Sequence, residues 1–519
     1  MGCMTPDGFE QAWLEGRAPF FCMIKFSLNI GIFRATNFQV LILFRNFVAE
    51  YENIMSLVIV SILLIGYVLI ATGYATKVNR AAIAMFVGTA GWVLYICYGT
   101  DFVMGQHAGE YADFLAGASP TSSNVKQYIA EDIFIKYVGK GAEIVLFLLA
   151  TMTIVEILNN NGCFDFLQEL MKTRNSKKLL WIMSMMTFVI SANLDNLTTT
   201  TMMLVIMHKL LPNRRQRMIY GCAIVLAANC GGALTVIGDP NGLVLWSTGI
   251  VTATDFSASL ALPCLIAWCL PTYWLSRSLP EHIDLQLSTM PYRGDDTNLN
   301  KWQRVLMLIL GIGGLWFIPT FHNITKLSPF LGALCVLSLL WIVNEIFNRK
   351  LMNVDQMMQR PVPRALQYGI IQLMLFVMGI MLAIGAVRET GAISHMAAFC
   401  DTNIHNVWIM GVVTGAVSSV LDAFASCMSF ISIYPVVDEN MVAQAADSAY
   451  MSSFVQNGVY WKIIAFCSAM GGNILPLGSV SGLALMKMER VHVGWYFKNV
   501  GFVAMAGWLL GLAAMWALN

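Results

Sequence analysis

The chain has 519 residues, of which 57% are hydrophobic and only 12% charged, and its formal net charge is +1. A charged share about half that of soluble domains excludes an ordinary soluble protein, and the near-neutral balance excludes charge-driven recognition of nucleic acid or of an acidic partner. Twelve cysteines are scattered without a Cys-x-x-Cys pair, which points to neither a metal knuckle nor a disulfide framework, and no cofactor is expected. The composition is that of an all-α polytopic protein whose partner is the lipid bilayer.

Residues 1–54 are semi-apolar but interrupted by Lys25, Arg34 and Arg45, and they carry no signal-peptide pattern. Met55 opens the first convincing span and is read as a translational start, which leaves 1–54 as an extension. Apolar runs of spanning length fall at 55–74, 81–99, 138–158, 218–237, 256–276, 303–321, 328–347, 366–387, 461–479 and 494–517, about ten in all. With the basic loop at Lys77 and Arg80 placed inside, the acidic segment 101–136 lies outside. The loops 159–178, 277–302 and 348–365 then return inside, as the excess of Lys and Arg in cytoplasmic loops requires. The expected location is the cytoplasmic membrane. Two halves result, 55–276 and 303–519, joined by a cytoplasmic linker at 277–302.

Between two basic loops, Lys172–Lys178 and Lys209–Arg217, only about 29 residues (179–207) are available, whereas two full spans need roughly 40. The economical solution is a re-entrant hairpin with Asp195-Asn196 at its tip. The second half repeats the first in order. Met152–Gly162 matches Met381–Gly391 at an offset of 229, Asp195 matches Asp422 at 227, and the Gly231–Asp239 stretch matches Gly471–Ser479 at 240. The loop 438–459 carries acids and no Lys or Arg, so a second hairpin at 406–437, with Asp422 near its tip, is expected to enter from outside. Two halves inserted with opposite orientation are the inverted repeat of secondary transporters, with the site at the midplane.

The chemistry is expected where polar residues interrupt spans. Bilayer offers no water to polar groups, so they are tolerated only inside protein or a wet cavity, and an ionisable group there marks a functional site. Asp195, Asn196 and the threonines behind them, Thr198 and Thr199 among them, form one cluster. Asn229 and Asp239 flank a Gly- and Pro-broken span, and Ser479 ends its repeat equivalent. Unwound backbone and carboxylates supply the oxygen that hard cations take. The expected cation and proton site is therefore Asp195, Asn196, Thr198, Thr199, Asn229, Asp239, Asp422 and Ser479, with Na⁺ at Asp195, Asn196 and Asp239. Thr hydroxyls can instead bond the carbonyl a turn back, so one or two of the threonines are expected as ligands. Glu156, inside the third span, either joins a proton path or makes a polar contact. Arg388 and Glu389 read as a solvated pair at a span end.

The chain resembles the NhaD-type sodium/proton antiporters of the ion transporter superfamily. The matching stretches are Ile65–Ile70, Met152–Glu156, Ser191–Thr200, Asn229–Gly232 with Ile237–Asp239, Gly379–Ala383, and Gly478-Ser479 onward to Trp495-Tyr496. The resemblance implies an inverted-repeat fold, a homodimer, exchange of Na⁺ or Li⁺ for H⁺, and transport roles for Glu156, Asp195, Asn196, Asn229 and Asp239. Two stretches depart from the family. The second hairpin reads Asp422-Ala423 where the family carries Asp-Asn, and the first break continues Pro240-Asn241-Gly242. Both are expected to remove oxygen ligands. A sodium-coupled dicarboxylate carrier of the same superfamily is the alternative, disfavoured by a bare Asp195 that would repel an anion. An intramembrane aspartyl protease is more remote, since the Tyr-Asp and Gly-x-Gly-Asp motifs are absent, so no enzyme is expected.

Overall fold

The computed structural model describes residues 54–116, 119–283, 299–348, 364–443 and 447–518. The extension 1–53, the start at Met1 and most of the linker 277–302 lie outside the described residues. The chain divides into two units, Met1–Leu57 and Val58–Asn519. Of the first, only the opening turn of a helix is described. The second carries everything that follows.

Among the described residues the structure is helical, with a single isolated bridge between Asn175 and His282. Eight helices are long and apolar enough to cross a membrane: Arg80–Cys97, Ser122–Asn160, Arg214–Leu234, Ala253–Arg277, Lys301–Thr325, Pro329–Phe347, Ile370–Glu389 and Val493–Leu518. Shorter apolar helices, Met55–Ala71 and Val459–Gly471, stand at the other two expected positions. The protein is an integral, multi-pass membrane protein. One boundary differs from expectation: the third span begins at Ser122 and runs through Glu131 and Asp132, with a π-helical turn at Ile129–Phe134. Those acids ride on the end of a helix that projects past its apolar stretch.

The first hairpin is two helices, Ser176–Ser191 and Asn196–Leu210, separated by four residues. The second is Val407–Val420 and Ala423–Ile431. The first helix of each hairpin is capped by asparagine. Asn175 accepts from the Lys178 amide, and Asn406 accepts from the amides of Trp408 and Ile409. The second helix of each hairpin is capped by aspartate. Asp195 accepts from the Thr198 amide and Asp422 from the Phe424 amide. Each cap satisfies an orphan amide of the first turn, so the tip residues are fixed by helix physics as well as by chemistry.

Two broken helices form the centre. Arg214–Leu234 stops, and a new helix starts at Pro240–Ser247; Val459–Gly471 stops, and a new helix starts at Val480–Glu489. Every residue from Ile219 to Ala233 and from Tyr460 to Gly471 is buried, as expected of helices without a lipid-facing side. Pro240 is not the breaker. It occupies the first position of the second helix, where its missing amide costs nothing.

The repeat is visible atom by atom where hairpin meets broken helix. A Cβ on Gly231 would overlap the Phe188 carbonyl, and one on Gly471 would overlap the Gly415 carbonyl. A Cβ on Gly232 would stand 3.0 Å from the Gly238 oxygen, and one on Gly472 would stand 3.0 Å from the Gly478 oxygen. Ser191 donates to the Ala228 carbonyl, and Ser418 donates to the Ser468 carbonyl. The hairpin positions differ by 227 and the broken-helix positions by 240, the offsets of the sequence match. Elsewhere small residues also set close helix contacts. Gly88 and Gly379 bring Arg80–Cys97 against Arg364–Glu389, while Gly507 and Gly511 bring Phe502–Leu518 against Ala253–Arg277. Such approaches supply packing where lipid removes the hydrophobic drive.

Candidate functional site

The two hairpin tips and the two breaks meet at one small chamber of about 30 Å³. Its lining comes in repeat pairs: Asn196 with Ala423, Asn229 with Ala469, Asp239 with Ser479, and Pro240 with Val480, joined by Asp422, Phe424 and Leu373. The oxygen donors are unevenly shared. The first repeat contributes two amides and a carboxylate where the second contributes two methyl groups and a hydroxyl. Asp422 is the second repeat's main polar contribution.

Of the residues singled out from sequence, Asn196, Asn229, Asp239, Asp422 and Ser479 line the chamber. Asp195 does not line it but is buried as the cap of the helix that Asn196 begins. One Asp195 oxygen accepts from the Thr198 amide at 2.9 Å and from the Thr198 hydroxyl at 3.1 Å. Thr198 is thereby committed to Asp195. Thr199 is fully buried and its hydroxyl has no hydrogen-bond partner. Glu156 is half-buried on Ile135–Asn160 and is not part of the chamber wall.

Some of the buried polar atoms left without a hydrogen-bond partner lie on the hairpins and broken helices, and others lie elsewhere in the protein. Asp195 Oδ1, Asn229 Oδ1, Asn241 Oδ1, Thr199 Oγ1, Thr200 Oγ1 and Ser426 Oγ are all buried without a hydrogen-bond partner. Native structures leave few buried polar groups unpaired, and of these six the Asn229 oxygen belongs to the chamber wall. All six are oxygens. That donor set suits a hard cation and offers nothing to a soft metal, and no cluster of three His, Cys, Asp or Glu with metal-holding geometry occurs among the described residues.

The two breaks use their last residue differently. Ser479 spends its hydroxyl on capping, accepting from the Gly482 amide at 3.0 Å, whereas Asp239 makes no cap bond. Asp239 instead accepts from the Asn241 side-chain amide at 3.3 Å, and that amide also reaches Ser468 at 3.2 Å. Within Pro240-Asn241-Gly242, Asn241 is buried beside Asp239 with an unpartnered carbonyl oxygen, although it is not part of the chamber wall. The repeats are also tied directly, Asn229 donating to Asn473 at 2.9 Å.

Three groups escaped the sequence reading. Arg80, read only as a loop charge, places Nη1 3.7 Å from Asp422. Lys462, at the head of the second broken helix, is buried against Asp255 at 2.6 Å. Glu389, expected in a solvated pair with Arg388, is buried, accepts from the Tyr137 hydroxyl, and lies 2.6 Å from His107 Nε2, while Arg388 is exposed. Adjacent helical residues point about 100° apart, so a sequence neighbour was the wrong partner.

Comparison with known proteins agrees with this architecture. The family described as citrate transporter matches residues 67–471. Sodium/proton antiporter 1 of Arabidopsis thaliana is 33% identical over 386 residues, 73% of this chain and 62% of that protein. This chain thus spans somewhat less than two thirds of that relative's length. Sodium/proton antiporter 2 of the same plant is 30% identical over 379 residues, 73% of this chain and 86% of that protein. The Na(+)/H(+) antiporter NhaD of Vibrio parahaemolyticus is 24% identical over 380 residues, 67% of this chain and 83% of that protein. With its paired hairpins and breaks around one oxygen-lined chamber, the chain belongs to the citrate transporter family, as a divergent member of its NhaD-type branch.

Proposed function

We propose that the protein exchanges Na⁺ or Li⁺ for H⁺ across the cytoplasmic membrane, with the cation held by Asn196, Asn229 and Asp239 and by Asp195. The observation that carries this reading is the chamber wall itself, where the side chains of Asn196, Asn229, Asp239 and Asp422 converge and the Asn229 oxygen is buried without a hydrogen-bond partner. Asp195, Asp239 and Asp422 against Arg80 leave a formal surplus of negative charge, which favours uptake of positive charge, either a cation or protons. Because both would use the same carboxylate oxygens, occupancy by one displaces the other, and that competition is the physical basis of exchange. The hairpins, entering from opposite sides, would let the repeats expose the chamber alternately. No covalent chemistry is assigned to the aspartates, and a homodimer is the expected assembly.

A sodium-coupled dicarboxylate carrier fits less well. The carboxylates of Asp239 and Asp422 stand in the chamber wall, and they would repel the carboxylates of such a substrate. The test is proteoliposomes containing a pH-sensitive dye, challenged with Na⁺, Li⁺, K⁺ and succinate. Proton movement driven by Na⁺ or Li⁺ is expected. Succinate uptake with no Na⁺-driven proton movement would replace the proposal with the carrier reading.

A further inference from the structure

Asp422 stands in a half-site poor in other oxygen donors, since Ala423, Ala469 and Ser479, whose hydroxyl caps a helix, occupy the positions that Asn196, Asn229 and Asp239 hold in the first repeat. It is 4% exposed, and a buried carboxylate without a partner is strongly destabilising. Its partner comes from outside the hairpins and breaks. Arg80 opens the helix Arg80–Cys97, capped by Asn79. It places Nη1 3.7 Å from an Asp422 oxygen and donates from Nη2 to the Leu477 carbonyl at 2.9 Å. Leu477 lies in the second break, between Gly471 and Val480. The guanidinium thus forms an ion pair with one carboxylate, without a hydrogen bond from Nη1, and hydrogen-bonds one carbonyl of unwound backbone, the two kinds of oxygen that a transported cation would take there.

The preceding helix fastens this arrangement, because the Tyr67 hydroxyl meets the Ser429 hydroxyl of the second hairpin at 2.7 Å. Among the described residues no basic side chain makes an ion pair with Asp195 or Asp239. The two half-sites therefore differ in kind: one is anionic and open, the other already holds a positive charge.

We propose that the Arg80 guanidinium is a tethered cation that fills the second half-site, so that each chain binds a single Na⁺, at the Asp195 and Asp239 half, and Asp422 anchors Arg80. This rests on the cation-exchange reading above and specifies its cation count. Arg80 is a positioning and specificity-determining residue in this scheme, with no contact to the transported ion.

The experiment is equilibrium binding of ²²Na⁺ to the purified full chain at fixed alkaline pH, with monodispersity checked by size exclusion. The unmodified chain is expected to bind one Na⁺. Arg80→Gln frees Asp422 and the Leu477 carbonyl, so two are expected; Arg80→Lys keeps the charge and should bind one. The double variant Arg80→Gln with Asp422→Asn removes both charges and should also bind one, with near-native half-saturation. It serves as the decisive variant if Arg80→Gln alone is not monodisperse. Two Na⁺ on the unmodified chain, one on monodisperse Arg80→Gln, or loss of Na⁺ binding by a monodisperse double variant each overturns the assignment. If the unmodified chain binds and exchanges Na⁺, such a failure leaves the exchange reading standing. If it binds none, the exchange reading falls and takes this assignment with it.

Discussion

Asp195 can be probed by two substitutions that separate its helix-capping role from its charge. Its Oδ2 accepts from the Thr198 amide and hydroxyl at 2.9 and 3.1 Å, while Oδ1 is buried and unpartnered. Asn is as good an N-cap as Asp, whereas Ala removes the cap at a cost of about 0.5–2 kcal/mol. Asp195→Asn also removes a buried charge with no ion-pair partner, a change that favours the folded state. Asp195→Asn should therefore unfold at the native temperature or above it, and Asp195→Ala below it by the equivalent of about 1 kcal/mol. Both should abolish Na⁺-driven proton movement, since an amide or methyl group cannot alternate between H⁺ and Na⁺. Thermal unfolding followed by tryptophan fluorescence, beside exchange in proteoliposomes, reads the two effects separately. The reasoning fails if Asp195→Asn is as destabilised as Asp195→Ala, which would reveal a structural partner for the charge. It fails equally if Asp195→Asn exchanges with unchanged apparent Na⁺ affinity.

Restoring the second-half amide by Ala423→Asn should change apparent Na⁺ affinity little while Arg80 occupies that half. In the Arg80→Gln background it should tighten affinity by up to about tenfold, the worth of one ligand contributing roughly 1.4 kcal/mol; equal effects in both backgrounds would contradict this. Gly231→Ala and Gly471→Ala should be comparably damaging to stability and transport, because each Cβ would overlap a hairpin carbonyl; a benign outcome at either position would show that its hairpin can retreat. Glu489 is buried and accepts Arg217 Nε on both oxygens, at 3.0 and 2.9 Å, with His208 Nδ1 at 2.8 Å. Glu489→Gln should cost about 3–5 kcal/mol, the range for breaking a buried ion pair, with Na⁺ affinity unchanged in the fraction that remains folded, as measured by ²²Na⁺ binding per monodisperse chain.

The hairpins and breaks were legible because a bilayer punishes polar tips and unwound backbone so heavily that they betray themselves in sequence. By that logic Asn229, Asp239 and Asp422 were singled out, and all three line the chamber, while the offsets of 227 and 240 recur in the backbone contacts. What escaped depends on reach and direction. Arg80 sits at a helix start, where its charge also serves topology, and only three dimensions show its side chain extending to Asp422. Asn241 was read as a lost ligand from its type alone, whereas its side chain lies against Asp239 with an unpartnered oxygen. Glu389 was paired with its sequence neighbour when the helix turned it toward Tyr137 and His107.

The unequal fate of the duplicated positions has a physical basis. Gly231 and Gly471, Gly238 and Gly478, and Ser191 and Ser418 all stand where one backbone presses on another, so any larger or differently bonded side chain would separate the elements. Such positions must keep their residue type in both halves for either half to pack. The lining positions Asn196 and Ala423, Asn229 and Ala469, and Asp239 and Ser479 face a cavity. There packing tolerates either member of the pair, and the choice is set by what the cavity must bind. The second half can then give up its oxygens without losing its fold, provided that its remaining carboxylate is neutralised, and Arg80 meets that condition. A single cation per chain is thus the expected consequence of a scaffold that stayed symmetric while its chamber did not.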